Sequence, residues 1–309
     1  MSDMAIGMQG KMTALSVLRA KGICIRPEVL FISFPICRYH GKNHVLTKSM
    51  VPFGLGVLAT MAKARGVTVT VLDAEALQLS PQEIAETVRE IEPQAVGISL
   101  CSPSAGMART VLASLVGVKS LFFAGGPHVS ALRARCVSQF AAVSAFFVGE
   151  SEVAWSTVLD RFLALSRRFT PEIFEGIAGV ITRGNLHCAE PRVVMDLDVI
   201  QQMDRTLFVN DPIDTWKGTV SSVLSARGCP AKCSYCSPLG PRHRAYRSRS
   251  ISHLVCEIET LVGMGVRYLQ FGDDTFTALP HRIKQFRTEL SLRHIDVRWL
   301  AFSRVDALD

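Results

Sequence analysis

The sequence predicts an α/β protein in which a doubly wound parallel sheet is followed by a shorter, incomplete series of βα units. Between residues 28 and 165, short β-branched and aromatic runs alternate with helical segments, an alternation typical of parallel sheets. The alternation resumes at residue 218 and continues to residue 309. Such sheets bind ligands at the carboxyl ends of their strands, so the loops at those ends are the candidate sites.

The N-terminal strands are predicted from apolar runs, because a parallel strand is buried on both faces. They are expected at Val29–Ser33, Val67–Leu72, Ala95–Ser99, Ser120–Ala124 and Ala142–Val148. Helices are expected between them at Gly54–Arg65, from Ser80 onward, at Ala105–Val116 and at Glu150–Leu165. Ser80 is a favourable N-cap and Pro81 fits the first helical turn, whereas Gly66 is a natural helix end.

A connector is expected over residues 166–217, with a β-hairpin formed by Ile177–Thr182 and Leu186–Cys188 around a Gly184-Asn185 turn. The elements expected after it are a strand at Thr219–Ser225, a helix at Ser250–Met264, a strand at Arg267–Phe271, a helix at Pro280–Leu292 and a strand at Asp296–Phe302.

The loop after the Thr219–Ser225 strand contains Cys229, Cys233 and Cys236 in a Cys-x3-Cys-x2-Cys spacing. Thiolates suit iron–sulfur clusters, and three of them leave one iron of a [4Fe–4S] cluster without a protein ligand. Two alternatives are a zinc site with Cys256 or His243 as fourth ligand, and free thiols in a reduced protein. Zinc sites usually pair two cysteine knuckles, and the chain has no second one, so the spacing favours the cluster.

This cysteine loop resembles the signature of the radical S-adenosylmethionine (SAM) superfamily. The resemblance implies a [4Fe–4S] cluster on the three cysteines, with SAM bound at its open iron. It also implies contacts with SAM from the loop and from the end of the next strand, by Tyr235, Gly272, Asp273 and Asp274. The alternative for the two aspartates is a loop turn or a helix cap.

The loops after the third, fourth and fifth N-terminal strands are rich in glycine and serine. With the segment 51–59 and the strand that ends at Asp73, they resemble the cobalamin-binding domain that precedes the radical SAM domain in one branch of that superfamily. The resemblance implies contacts with cobalamin by Ser99, Ser102, Gly125, Gly126, Pro127, Gly149 and Glu150.

One departure from cobalamin domains in general concerns histidine. The Asp-x-His-x-x-Gly motif that supplies a lower axial ligand is absent after the first strand, where His40 and His44 lack its spacing. The lower face of the cofactor is therefore expected to have no histidine ligand, and His128 is expected to lie near the ligand at most.

The expected organisation is an N-terminal extension (1–27), a cobalamin-binding domain (28–165), the connector (166–217) and an incomplete radical SAM core (218–309). The resemblance implies a C-methyltransferase that uses the cluster, SAM and methylcobalamin on a small molecule. A tetrapyrrole-type oxidative cyclase or rearrangement enzyme, and a non-catalytic truncated cofactor-binding protein, stay open as alternatives. Expected partners are an electron donor such as flavodoxin or ferredoxin, and another chain that completes the barrel.

Composition sets further limits. The chain has 309 residues, of which 48% are hydrophobic and 20% charged, as in soluble globular proteins. No apolar run reaches the roughly 18–20 residues of a membrane span, and no secretory signal is recognised. Nine cysteines without a paired spacing indicate a reducing, cytoplasmic location.

The net charge of +7 is unevenly distributed. Six basic residues and no acidic ones lie between Arg227 and Arg249. A solvated basic loop is the expected interpretation, and the lack of interleaved aromatic residues disfavours nucleic-acid binding.

Overall fold

A computed structural model describes residues 26–36, 51–209, 220–234, 236 and 245–307. The N-terminal region contains a six-stranded sheet with the order β2-β1-β3-β4-β5-β6. Its strands are β1 Val29–Ser33, β2 Val69–Asp73, β3 Ala95–Ser99, β4 Leu121–Gly125, β5 Val143–Phe147 and β6 Val180–Thr182. Strands β1 to β5 are parallel, whereas β6 is antiparallel to β5.

Helices cover both faces of this N-terminal sheet, so the predicted doubly wound architecture is confirmed. They are α1 Phe53–Ala64, α2 Pro81–Ile91, α3 Ala105–Ser114, α4 Pro127–Leu132, α5 Arg135–Gln139 and α6 Glu152–Ala164. On one face α2 and α3 contribute Ile84 and Val111 to an apolar layer. On the other face α1 and α6 contribute Leu55 and Trp155 to a second layer. The predicted N-cap Ser80 is confirmed at the start of α2, where it forms a capping box with Glu83.

The strand order reverses between β1 and β3, because the chain crosses from β2 past β1 to reach β3. At such a reversal, consecutive connections leave toward opposite faces of the sheet, and a crevice opens outside the carboxyl ends of the strands. The topology therefore places the candidate ligand site next to the loops after β1, β3 and β4.

The predicted hairpin in the connector is wrong. Asn185 closes a tight turn with Thr182 through backbone hydrogen bonds of 3.1 and 3.3 Å, but Leu186–Cys188 forms no strand. The ring of Pro191, which has no N–H to continue a ladder, lies against Gly179 instead. Strand β6 consequently pairs with β5 and extends the N-terminal sheet.

The C-terminal region contains a three-stranded parallel sheet with the order β11-β10-β7. Its elements are β7 Val220–Val223, α7 Ile251–Gly263, β10 Tyr268–Phe271, α8 Pro280–Leu292 and β11 Arg298–Leu300. Val223, Leu254, Phe271 and Phe286 form the centre of its core. The described residues thus form an open βα sheet, as predicted for a partial barrel, and none of their helices is long and apolar enough to cross a membrane.

A two-stranded antiparallel ladder brackets the cysteine loop. Strand β8 (Ala226–Arg227) pairs with β9 (Arg247–Ser248), with Arg227 opposite Arg247. The loop of residues 228–246 therefore begins and ends at paired residues of this ladder. This ladder fixes where the loop begins and ends, next to the carboxyl end of β7.

A buried ion-pair network joins the connector to the C-terminal sheet. Glu257 of α7 accepts hydrogen bonds from Arg205 of the connector (3.0 Å) and from Arg249 (2.5 Å), and is only 4% exposed. Arg205 also donates to the backbone carbonyl of Ser222 in β7 at 2.8 Å. If the connector moved away, Glu257 would lose one of its two buried positive partners, which costs free energy. The contacts therefore hold the connector in one position.

Gly97 in the central strand β3 allows close packing of two aromatic rings. A Cβ atom at this position would lie 2.6 Å from ring carbons of Phe31 and Phe123. We expect Gly97→Ala to lower the free energy of unfolding by about 1–3 kcal/mol, because the added methyl group would overpack the core around the two rings. Urea denaturation followed by circular dichroism measures this change.

Gly54 provides the matched control, because a Cβ atom there has no heavy atom of the described residues within 4 Å. Gly54→Ala, in α1, is expected to leave stability unchanged or raise it by up to about 1 kcal/mol. An unfolding midpoint for Gly97→Ala at or above that of the wild type would contradict the packing account.

Candidate functional site

A cavity of about 460 Å³ lies between the carboxyl edge of the N-terminal sheet and the start of the cysteine loop. From the N-terminal sheet it is lined by Ser99, Gly125, Gly126, Pro127, Gly149 and Glu150, among others. From the C-terminal region it is lined by Leu224, Ala226, Arg227, Gly228, Gly272 and Asp274. The two halves of the chain therefore share one ligand-sized space, as expected for a site at a domain boundary.

Three aromatic residues of this cavity, Phe31, Phe123 and Phe147, come from the sheet, and Phe53 comes from α1. Phe31 and Phe123 are almost fully buried, and their ring centroids lie 5.8 Å apart in an edge-to-face arrangement. Trp155 stacks on Phe123 at 5.2 Å and donates its indole N–H to the carbonyl of Leu58 at 2.9 Å. These contacts fix the rings, so that side of the cavity is rigid and apolar.

The loop after β4 approaches the cavity through its backbone. Gly126 has a φ of +103°, and a Cβ atom on it would lie 2.8 Å from the carbonyl oxygen of Leu100. Only glycine fits this conformation and this contact. A ligand can therefore contact main-chain atoms directly at this edge.

Six of the seven residues predicted to contact cobalamin line the cavity, and Ser102 is the exception. The Ser102 hydroxyl forms a hydrogen bond of 3.0 Å with Nδ1 of His128 instead. His128 itself is buried at the start of α4, with its ring edge-to-face against Phe140. Nε2 of His128 has no hydrogen-bond partner within the described part of the chain.

Glu150 lines the cavity and is also the centre of an ion-pair cluster. Its carboxylate accepts from Arg227 at 2.8 Å and from both terminal nitrogens of Arg247. Arg227 donates in addition to Glu152 at 2.5 Å. Burial raises the pKa of Glu150, but the hydrogen bond from Arg247 and the two positive charges outweigh it, so the pKa is lowered and the carboxylate stays charged.

The expectation of a solvated basic loop is wrong for three of its residues. Arg227, Arg247 and Arg249 are each paired with a carboxylate, and Arg247 and Arg249 are buried. Their charges neutralise Glu150, Glu152 and Glu257 rather than facing solvent. Sequence reasoning missed this because the acidic partners of Arg227 and Arg247 lie at least 75 positions away in the chain.

The predicted SAM-binding residues at the end of β10 separate into two groups. Gly272 and Asp274 line the cavity. Asp273 is 2% exposed and accepts hydrogen bonds from the backbone N–H groups of Ser225 (2.7 Å) and Ala226 (3.3 Å) and from the Ser225 hydroxyl. Burial raises its pKa despite those bonds. Asp273 therefore anchors the segment that enters the cysteine loop, while Tyr235 lies outside the described residues.

Cys229 and Cys233 are half-buried, Cys236 is exposed, and all three are free thiols. The backbone N–H of Cys236 donates to the carbonyl of Cys233 at 3.2 Å, which forms a turn between them. Within the described residues, no group of three His, Cys, Asp or Glu side chains is close enough to hold a metal ion. The donor set nevertheless suits an iron–sulfur cluster in kind, because it consists of three accessible thiols on one short loop.

Of the two alternative fourth zinc ligands, Cys256 lies among the described residues. Cys256 lies in α7, and its thiol accepts a hydrogen bond from Arg293 at 3.3 Å. His243 falls outside the described residues.

The anchoring role of Asp273 can be tested by stability. Asp273→Asn replaces one of the two oxygens that accept two buried N–H groups and a hydroxyl by an NH2 group, and we expect the lost hydrogen bonding to lower the free energy of unfolding by about 1–3 kcal/mol. The adjacent Asp274 is exposed, so Asp274→Asn should change stability by no more than about 0.5 kcal/mol. Urea denaturation of both variants measures their free energies of unfolding. Equal values for the two variants would exclude the anchoring role of Asp273.

Two family models match the chain. The B12 binding domain matches residues 43–159 and the radical SAM superfamily matches residues 223–306. The first match contains the strands β2 to β5 and the loops of the cavity. The second begins at the last residue of β7 and includes the cysteine loop, β10 and β11.

Curated relatives agree with these matches. An uncharacterized methyltransferase from Pyrococcus horikoshii is 27% identical over 267 residues, which are 84% of this chain and 56% of the relative. An anaerobic magnesium-protoporphyrin IX monomethyl ester cyclase from Rubrivivax gelatinosus is 28% identical over 291 residues, which are 90% of this chain and 50% of the relative. The chain thus spans about half the length of the curated relatives it matches.

The fold is shared with a solved structure, the radical S-adenosylmethionine methyltransferase TsrM from Kitasatospora setae, which contains cobalamin and a [4Fe–4S] cluster. The TM-score is 0.70 at 19% identity, and the match covers 92% of this chain and 57% of TsrM. Together the two family models cover more than half of the chain, in the order that the two sheets follow. The chain is a member of the radical SAM superfamily with an N-terminal B12-binding domain.

Proposed function

We propose that the chain binds cobalamin in the cavity, holds a [4Fe–4S] cluster with SAM on Cys229, Cys233 and Cys236, and acts in methyl transfer to carbon of a small molecule. The observation that carries the proposal is the shared cavity. Residues of the B12-binding domain and the residues just before Cys229 line the same space. Two cofactors that act on one substrate must be brought together in this way.

The residues of the chain have separate roles in this proposal. The glycine and serine loops after β3, β4 and β5 contact cobalamin, and the aromatic side of the cavity excludes water. Gly272 and Asp274 contact SAM. When bound, the cluster with SAM supplies one-electron chemistry at carbon, and cobalamin supplies the methyl group.

The proposed domain limits are 28–165 for the cobalamin-binding domain and 218–309 for the radical SAM core, with 166–217 as connector. The cysteine pattern supports a reducing, cytoplasmic location. An electron donor of the flavodoxin or ferredoxin type completes the proposed reaction, since the cluster must be reduced before it reacts. Nucleic acid is disfavoured as a substrate, because Arg227, Arg247 and Arg249 are engaged by carboxylates.

A second candidate function is oxidative cyclisation or rearrangement of a tetrapyrrole. The similarity to the magnesium-protoporphyrin cyclase of Rubrivivax gelatinosus favours it, because that relative matches 90% of the chain. Both candidates use the same proposed cofactors. A non-catalytic cofactor-binding protein is the third, and reconstitution separates it from the other two.

The decisive experiment is anaerobic reconstitution with iron, sulfide and hydroxocobalamin, followed by metal and corrinoid analysis. We expect about four irons and one corrinoid per chain, and release of 5′-deoxyadenosine from SAM under reductant. Cys229→Ala, Cys233→Ala and Cys236→Ala should each lose most of the bound iron, whereas Cys256→Ala should keep it.

The outcomes separate the proposals. Zinc without iron would refute the cluster. Corrinoid and iron without 5′-deoxyadenosine would support the non-catalytic alternative. With an active protein, incubation with methyl-labelled SAM and a candidate small molecule distinguishes a methylated product from a cyclised one.

We also propose that a further polypeptide covers strand β11. Within the described residues β11 pairs only with β10, and all three of its residues are exposed, as is Phe302 beyond it. Trp299 is 39% exposed to solvent and Leu300 is 54% exposed. An apolar edge of a parallel sheet is a template for pairing with another chain.

This edge predicts association of the isolated chain. Sedimentation velocity at rising protein concentration should show self-association, and Leu300→Lys should reduce it, because a charge on an edge strand opposes pairing. Val116→Lys is the matched control, since Val116 is an exposed apolar residue of the N-terminal region. Equal association of the two variants would argue against β11 as the covered edge.

A further inference from the structure

We propose that Glu150 is a positioning residue that fastens both ends of the cysteine loop to the B12-binding domain. Through it, a ligand in the cavity and iron on the loop stabilise each other. This inference rests on the proposed function, because it concerns iron on the cysteine loop and cobalamin in the cavity. It is carried by the ion pairs on the Glu150 carboxylate, which lies in the loop after β5.

The leading end of the loop is held by Arg227. This residue is the last of β8 and is followed directly by Gly228 and Cys229. Its guanidinium reaches across the cavity wall to Glu150 at 2.8 Å and to Glu152 at 2.5 Å. The first iron ligand is therefore two residues from a contact with the other domain.

The trailing end is held by Arg247, the first residue of β9. Arg247 stands opposite Arg227 in the β8–β9 ladder and forms a two-nitrogen pair with the same Glu150 carboxylate. It also donates to the carbonyl of Val194 in the connector at 2.5 Å. One carboxylate thus binds both ends of the loop, while Glu152 pairs with Arg227 at the leading end.

These ion pairs are largely buried, which strengthens them. The side chains of Glu150, Arg227 and Arg247 are 16%, 17% and 7% exposed. Ion pairs shielded from solvent are screened far less than surface pairs, and removing one partner leaves the other charge without compensation. The bidentate pair between Arg247 and Glu150 fixes the relative orientation of the two side chains as well as the distance between them.

The same groups face the ligand space. Glu150, Glu152, Arg227 and Gly228 all line the cavity. A molecule that packs against Glu150 and Arg227 restricts the base of the loop, and a loop fixed by iron restricts that wall of the cavity. Such a coupling is reciprocal, because each ligand changes the binding free energy of the other by the same amount.

The test is the rate at which a ferrous chelator removes iron from the anaerobically reconstituted protein, with and without bound hydroxocobalamin. Glu150→Gln keeps the shape of the side chain but loses the charge that both arginines share. We expect it to release iron about fivefold faster than the wild type or more, and hydroxocobalamin to slow release in the wild type but not in this variant.

Glu152→Gln is the matched control, because Glu152 also lines the cavity and also pairs with Arg227. It leaves Glu150 bound to both arginines, so its release rate should stay within about twofold of the wild type. Arg247→Gln changes no residue that lines the cavity and should reproduce the fast release of Glu150→Gln. Thermal unfolding of the iron-free variants checks that they fold.

The outcomes distinguish this inference from the proposed function. If the wild type takes up no iron or no corrinoid, the proposed function fails and the coupling fails with it. If the wild type loads both and Glu150→Gln or Arg247→Gln releases iron at the wild-type rate, only this inference is overturned. It is likewise overturned if Glu152→Gln accelerates release as much as Glu150→Gln does.

Discussion

The carboxylate of Glu150, bound by arginines from both ends of the β8–β9 ladder, is the contact on which the rest of the site depends. It joins the carboxyl edge of one parallel sheet to the first loop of another. Parallel sheets expose their ligand loops at that edge, and here two such edges face one cavity. The contact between Glu150 and the two arginines joins these edges directly at the wall of the cavity.

Carboxylates also accept hydrogen bonds from the other segments that flank the cysteine loop. Asp273 binds the backbone of Ser225 and Ala226 just before the loop. Glu257 binds Arg249 just after it, and Arg205 of the connector. Each of these carboxylates is buried, and each bonds a different part of the chain to the base of the loop. The loop that carries the cysteines is therefore held at its ends by buried acids.

The two sheets differ in how far they are covered by other elements. The N-terminal sheet is covered by helices on both faces, and its aromatic residues pack edge to face beneath the cavity. The C-terminal sheet has three strands, and its last strand is exposed. The chain spans about half the length of the curated relatives it matches.

The sequence by itself determined the order of the strands β1 to β5 with the helices α1, α2, α3 and α6, and the order β7-α7-β10-α8-β11, because hydrophobic periodicity and capping are local properties. It did not predict the short helices α4 and α5 between β4 and β5. It also determined the cysteine spacing. It placed glycine and serine loops at the strand ends, and six of the seven residues predicted there to contact cobalamin line the cavity. It did not determine which groups those residues contact. Ser102 bonds to His128 and Asp273 bonds to Ser225, while β6 pairs with β5. Only the tertiary structure decided these pairings and the binding of Arg227 and Arg247 to Glu150, because they join residues 26 to 97 positions apart that local pattern cannot relate.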